Sequence, residues 1–298
     1  MTLMMAELYS GQSKSWRYHF QGAWDVFKRY EDQSPWEDSD FACASLQSLH
    51  IIGIVSDTCQ LTNEVNDEGD HWPTQARTNT VPSTKAFRTP NQQSWSAIKS
   101  THDFGFTIGA TQEVLECIRN ISEMNHTSET DDASDEWCKD ILAWLNMCRS
   151  DLATQASRGF SVSNPAGYHQ LAAFISATFI YFYRTIFDLS PGRLESYTIE
   201  TLESVNVFLS QGYGNMSLWP AFIASVEACS DKTISMAQTW LDTAVTFGMG
   251  SRLMVRKVVE EVWRRRETAS HDLGLDKRLI AVDWREVMKE LDVDVLLI

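Results

Sequence analysis

The 298 residues contain no two cysteines with two residues between them, so no Cys-x-x-Cys knuckle exists and no zinc site can be read from spacing. The six cysteines stand scattered at 43, 59, 117, 138, 148 and 229. Such spacing in apolar surroundings predicts buried, reduced thiols in a protein of the nucleus or cytoplasm. Basic residues are also few, 25 against 40 acids, for a net charge of −15. Affinity for nucleic acid comes mainly from Lys and Arg neutralising phosphates, so this chain is not expected to bind it directly. The amino terminus lacks a basic region followed by a long apolar core, which excludes a signal peptide and predicts that the protein is not secreted. The most apolar stretch, residues 171–187, is short for a membrane span and carries Ser176, Tyr181, Tyr183 and Arg184. It reads as a buried helix. Missing too are a Gly-rich phosphate loop, a Gly-x-Ser-x-Gly elbow, runs of alternating strand pattern and internal repeats.

Helical periodicity is what the chain has in abundance. Trp16, Phe20, Ala23, Trp24 and Phe27 follow the i, i+3, i+4, i+7 rule. A second helix is predicted over about 40–59. Further helices follow from near 110, from 134, and at about 193–211, 217–229, 232–247, 251–268 and 284–291. Asn164-Pro165 is a start signal, with Asn as N-cap and Pro in the first turn, and the helix it opens is apolar nearly all round. Such a helix belongs at the centre of the fold. Asp283 and Glu286 have the spacing of a capping box. Residues 62–101 carry Pro73, Pro82 and Pro90 and no lasting period, the pattern of an irregular insert. The expected fold is therefore all-α, one globular multi-helix domain spanning 1–298, with an irregular loop at 62–101.

Several stretches resemble the fungal-specific transcription factor domain, the regulatory domain of zinc-cluster transcription factors of the arginine-metabolism and sterol-uptake type. They are the Glu7…Trp16…His19…Gly22-Ala23 start, Phe106-Thr-Ile-Gly109, and Ala172 to Ile186 with its Ile-Tyr-Phe-Tyr-Arg184. Leu218-Trp-Pro-Ala-Phe-Ile-Ala-Ser-Val-Glu-Ala228 is similar to that family's Trp-Pro element, with Ser225 where the family has glycine. Val262-Trp263-Arg-Arg and Asp283-Trp284-Arg-Glu-Val-Met288 follow its closing pattern. The resemblance implies a regulatory, ligand-sensing or interaction module, while the family's six-cysteine DNA-binding cluster is absent from these residues. Met1 falls inside what would be the family's first helix, so a late start of the chain and a true loss of the cluster both stay open. The implied partners are a hydrophobic small molecule held between helices, or a protein, as a homodimer or a heterodimer with a full-length regulator. No cofactor is expected on this reading.

One short motif points elsewhere. Asp131, Asp132 and Asp135 form an Asp-Asp-x-x-Asp run. On a helix, carboxylates one turn apart can hold Mg²⁺ that grips a diphosphate, as in class I terpene (sesquiterpene) cyclases. The alternative function is thus a stand-alone cyclase acting on a prenyl diphosphate, with Asp131, Asp132 and Asp135 as metal ligands. The same acids also suit a solvated loop and the first turn of a helix, where they cap free amides and oppose the dipole. The second metal motif of such enzymes is matched only in part, at Asn146/Ser150/Thr154 and Asp242/Thr246/Gly250, both without the closing glutamate. His19 on an apolar face reads as a core residue. The basic run from Arg252 to Arg266 reads as a solvated face beside a buried stripe.

Overall fold

The computed structural model describes residues 15–60, 105, 108–125, 131–213 and 216–298. Among these every regular element is helical, as the periodicity demands. In chain order they are α1 (Ser15–Tyr30), a single turn α2 (Pro35–Asp38), α3 (Asp40–Asp57), α4 (Gln112–Asn125) and α5 (Asp131–Ser157). A second single turn, α6 (Phe160–Ser163), leads into α7 (Pro165–Phe187). Then come α8 (Glu195–Ser210), α9 (Leu218–Glu227), α10 (Asp231–Thr246), α11 (Gly250–Leu273) and α12 (Trp284–Glu290). The irregular insert expected at 62–101 lies outside the described residues.

The central helix behaves as its apolar circumference requires. The Asn164 side chain accepts from the Gly167 amide, Pro165 follows in the first turn, and the helix ends at Asp188 in the left-handed region. Between those ends α7 packs against α4, α5, α8 and α9. Phe174, Phe179, Ile180, Tyr181 and Phe182 are buried among them. Around α7 the other helices bury one stripe each. α5 buries Cys138, Ile141, Leu145, Cys148 and Leu152 at helical spacing while its other faces meet water. α1 buries Trp16, Phe20, Trp24 and Phe27, a run of aromatics that touch each other edge to face or tilted.

The segment after α12 has no regular structure, yet Val293, Val295, Leu296 and Leu297 are buried in the common core. It is tied to the first helix. Arg17 grips the Asp294 carboxylate with two nitrogens, at 2.6 and 2.8 Å, and the Trp16 indole donates to the Asp294 carbonyl.

Two sequence expectations change here. His19 is half-buried, and the buried imidazole is His50 on α3, edge-on to Trp24 with ring centroids 5.0 Å apart. Burial, helped by Arg119, pushes the His50 pKa down to about 3. In the unfolded chain the imidazole takes up its proton below about pH 6.5. The native state is therefore stable toward neutral pH and loses stability as pH falls below that value. The expected loss is ~2 kcal/mol between pH 7.5 and 5. Urea unfolding at the two pH values checks this: His50→Leu should shrink the difference by that amount, and an unchanged difference would refute it.

The basic run of α11 is the second change. Arg252 and Arg266 are buried, not solvated. Arg266 is buried because its donors all find carbonyls, a point that leads directly to the site.

A polar cleft and its arginine–glutamate core

α9 ends at Glu227, and its last carbonyls need donors. α11 supplies them. Trp263 Nε1 donates to the Ser225 carbonyl at 2.8 Å. Arg266 donates from Nη2 to the Val226 carbonyl and from Nη1 to that of Ala228, both at 2.7 Å, and from Nε to Ile280. A cation at a helix C-terminus also meets the negative end of the dipole. Burial still holds the Arg266 guanidinium below its ordinary pKa, with Glu227 working the other way. Ser225, at the place where the resemblance has glycine, is fully buried and its hydroxyl has no hydrogen-bond partner among the described residues.

Glu227 itself is only 2 % exposed. Its Oε1 accepts from Arg184 Nε of α7 at 2.8 Å. Its Oε2 has no hydrogen-bond donor among the described residues, and forms a looser ion pair with Arg266 Nη2 at 3.8 Å, beyond hydrogen-bond reach. Arg184 reaches on to Asp188 and to the Leu189 carbonyl, closing the end of α7. Burial disfavours its charge, but Glu227 and Asp188 outweigh burial and hold the guanidinium above its usual value.

Arg285, in the first turn of α12, forms the facing wall. Asp283 caps that helix by accepting from the Arg285 amide at 2.8 Å. The expected box is thus half made, with the cap on the second helical residue. The Arg285 side chain donates to the Thr58 carbonyl at 2.8 Å and to Thr185 Oγ1 at 3.3 Å. It also lies over the Tyr181 and Trp284 rings. Thr58 takes a second load, since its hydroxyl accepts from Trp219 Nε1 at 3.1 Å. Tyr181 in turn shares a 2.9 Å hydrogen bond with Ser122. Burial pushes the Tyr181 pKa up, while Arg285 and the Ser122 bond pull against that rise.

Between these walls lies a cleft of about 360 Å³, lined by Gln60, Asn125, Tyr181, Arg184, Thr185, Asp188, Glu227, Asp283, Trp284 and Arg285, with Ile180, Ile223 and Ala281. That volume suits a small metabolite. The resemblance implied a hydrophobic small molecule held between helices; this cleft is polar. Tyr181 and Trp284 line it while most other aromatics pack the core, and the cleft sits where the polar ends of helices meet.

The acidic run is placed differently. Asp131 opens α5, and Asp131, Asp132 and Asp135 occupy its first two turns. Asp135 is exposed and is not part of the cleft wall. The side chains of Asp131 and Asp132 lie outside the described residues. Of the second half-motifs, Asn146 donates to the Leu142 carbonyl on its own helix and Asp242 pairs with Arg256. No group of three metal-ligating side chains occurs among the described residues.

Three of the regions that carried the resemblance, the central helix, the Trp-Pro element and the closing pattern, therefore meet at one place. Arg184 comes from the central helix, Trp219 and Glu227 from the Trp-Pro element, and Trp263, Trp284 and Arg285 from the closing pattern. The family model described as the fungal specific transcription factor domain matches residues 1–298. The chain belongs to that family. Membership in the fungal-specific transcription factor domain family supports a regulatory role. No curated protein and no solved structure matches the chain. Among the described residues of this family member, no helix is long and apolar enough to cross a membrane. Arg184, Trp219, Glu227, Trp284 and Arg285 lie in the stretches that carry the resemblance, but the sequence reading gave none of them a role and named only Asp131, Asp132 and Asp135 as site residues. Thr58, Gln60, Ser122 and Asn125 lie outside those stretches and carry no local signal, because their places arise only where the chain around α3, α4 and α7 meets.

Proposed function

We propose that the chain is the sensing and interaction module of a nuclear transcription regulator, and that its cleft between α7, α9 and the start of α12 is the seat of a small-molecule ligand. The reading rests on one observation: residues from separate family stretches, far apart in sequence, converge on the walls of a single cleft. A cleft built at the junction of three helix ends suits sensing, because a ligand that alters it acts on α7, α9 and α12 together. DNA contact on this reading belongs to another polypeptide segment or a partner, since these residues have no cysteine cluster and a net charge of −15.

Fusion of the full chain to a heterologous DNA-binding module, with a reporter gene downstream, tests the regulatory reading. The fusion should change reporter output several-fold relative to the module alone, and Arg285→Ala should alter that change. Reporter output identical with and without the chain, with the fusion intact in the nucleus, would remove the proposal.

A further inference from the structure

We infer that the cleft takes a small uncharged amide or urea, and this rests on the reading of the cleft as a ligand seat. The charges around the cleft are matched within the protein. Glu227 is closed off between Arg184 and Arg266, Asp188 pairs with Arg184, and Asp283 stands 3.6 Å from Arg285. Three carboxylates thus meet three guanidiniums, and a ligand of either net sign would bring a charge with no counterpart.

The capacity left over is for hydrogen bonds. At the deep end it lies with donors. Arg184 spends Nε and Nη1 on Glu227, Asp188 and the Leu189 carbonyl, and its Nη2 has no hydrogen-bond acceptor among the described residues. Arg285 spends Nε and Nη2 on Thr58 and Thr185, and its Nη1 has only the distant Asp283 oxygen, beyond hydrogen-bond reach. The half-buried Asn125 amide lines the same cleft and also has no hydrogen-bond partner among the described residues. At the rim the capacity lies with acceptors. Asp188 gives one oxygen to Arg184, Asp283 gives one to the Arg285 amide, and each keeps the other. A carbonyl oxygen set on the guanidinium and Asn125 donors, with its own N–H groups on the rim carboxylates, satisfies both ends without adding charge. An amide or a urea carries both groups in one plane; a hydrocarbon would take the donors out of water and give them nothing.

Both ends can be altered without disturbing the fold. Asp283 is an N-cap, a position where Asn serves as well as Asp, so Asp283→Asn keeps the cap and turns the spare acceptor into a donor. Asn125 is the last residue of α4, and Asn125→Ala removes only its amide. Three four-carbon probes of matched length separate the chemistries: succinamide, succinate and 1,4-diaminobutane. Isothermal titration of the full chain at 0.15 M salt should show saturable binding of succinamide and none of the two charged probes. Asn125→Ala/Asp283→Asn should weaken succinamide by ~10-fold or more while leaving the melting temperature within a few degrees. Where the double variant does not fold, each single variant should weaken it by about 3-fold.

Saturable binding of succinate or of the diamine would overturn the inference in favour of a charged ligand. Succinamide binding that ignores the variants would put the amide somewhere other than the cleft, and overturn it as well. So would binding of none of the three. Each of these results is independent of the reporter assay: a chain that regulates but binds no amide loses this inference alone, and one that binds the amide but regulates nothing loses only the function proposed above.

Discussion

Glu227→Ala is expected to lower the free energy of unfolding by about 3–5 kcal/mol, a large part of a domain's whole stability. The carboxylate sits between Arg184 and Arg266, all three largely or fully removed from water. Removing one member of a buried ionic group leaves the others uncompensated, and here two guanidiniums would remain without their common anion. Arg266 would keep its three carbonyl partners. Arg184 would keep only Asp188 and a carbonyl at the edge. The greater strain thus falls on α7. Glu227→Gln retains an acceptor for Arg184 and should lose only about 1–2 kcal/mol. Urea unfolding of the two variants checks the order, and a loss under about 1 kcal/mol for the alanine would show that the arginines relax to water instead.

Deleting residues 294–298 is expected to leave a chain that does not fold cooperatively. Val295, Leu296 and Leu297 are buried to within a few per cent. At about 1.5–3 kcal/mol for each such side chain, their loss removes roughly 5–9 kcal/mol, comparable with the total margin of an ordinary domain. The deletion also takes the Asp294 carboxylate from Arg17, the Asp294 carbonyl from the Trp16 indole, and the Leu297 carbonyl from Ser217. α1 would then lose its tie to the far end of the chain. Arg17→Ala isolates that tie, and should lose only about 1 kcal/mol because the pair is partly exposed. Circular dichroism and thermal melting of the truncated chain decide the matter. A cooperative melt within a few degrees of the intact protein would show that the tail's burial is not what holds α1 in place.

The helices were legible because their signal is local. Asn164-Pro165 announced the start of α7, and the unbroken apolar surface of residues 171–187 announced its central place. Both follow from the short-range geometry of a 3.6-residue turn. The acidic run illustrates the limit. Read alone, Asp131, Asp132 and Asp135 suit a metal clamp or a helix start equally. The structure places them in the first turns of α5, where carboxylates favour the positive end of the dipole, and places Asp135 in solvent. The buried arginines show the limit again. In the sequence of α11 nothing separates Arg266 from Arg264 or Arg265. Yet Arg264 and Arg265 pair with Glu261 at the surface, while Arg266 points its donors at carbonyls of α9, about 40 residues earlier.

By itself, then, the sequence determined that this protein is helical, that α7 lies at its centre, that no knuckle of paired cysteines is present, and which family it belongs to. Those properties depend on residue type, spacing and short-range periodicity. The tertiary structure alone decided that His50 rather than His19 is buried, that the final residues complete the core, and that the cleft is polar. Each of these turns on whether a polar or apolar group finds partners on a helix distant in the chain, and the energy of burial is fixed only when those helices meet.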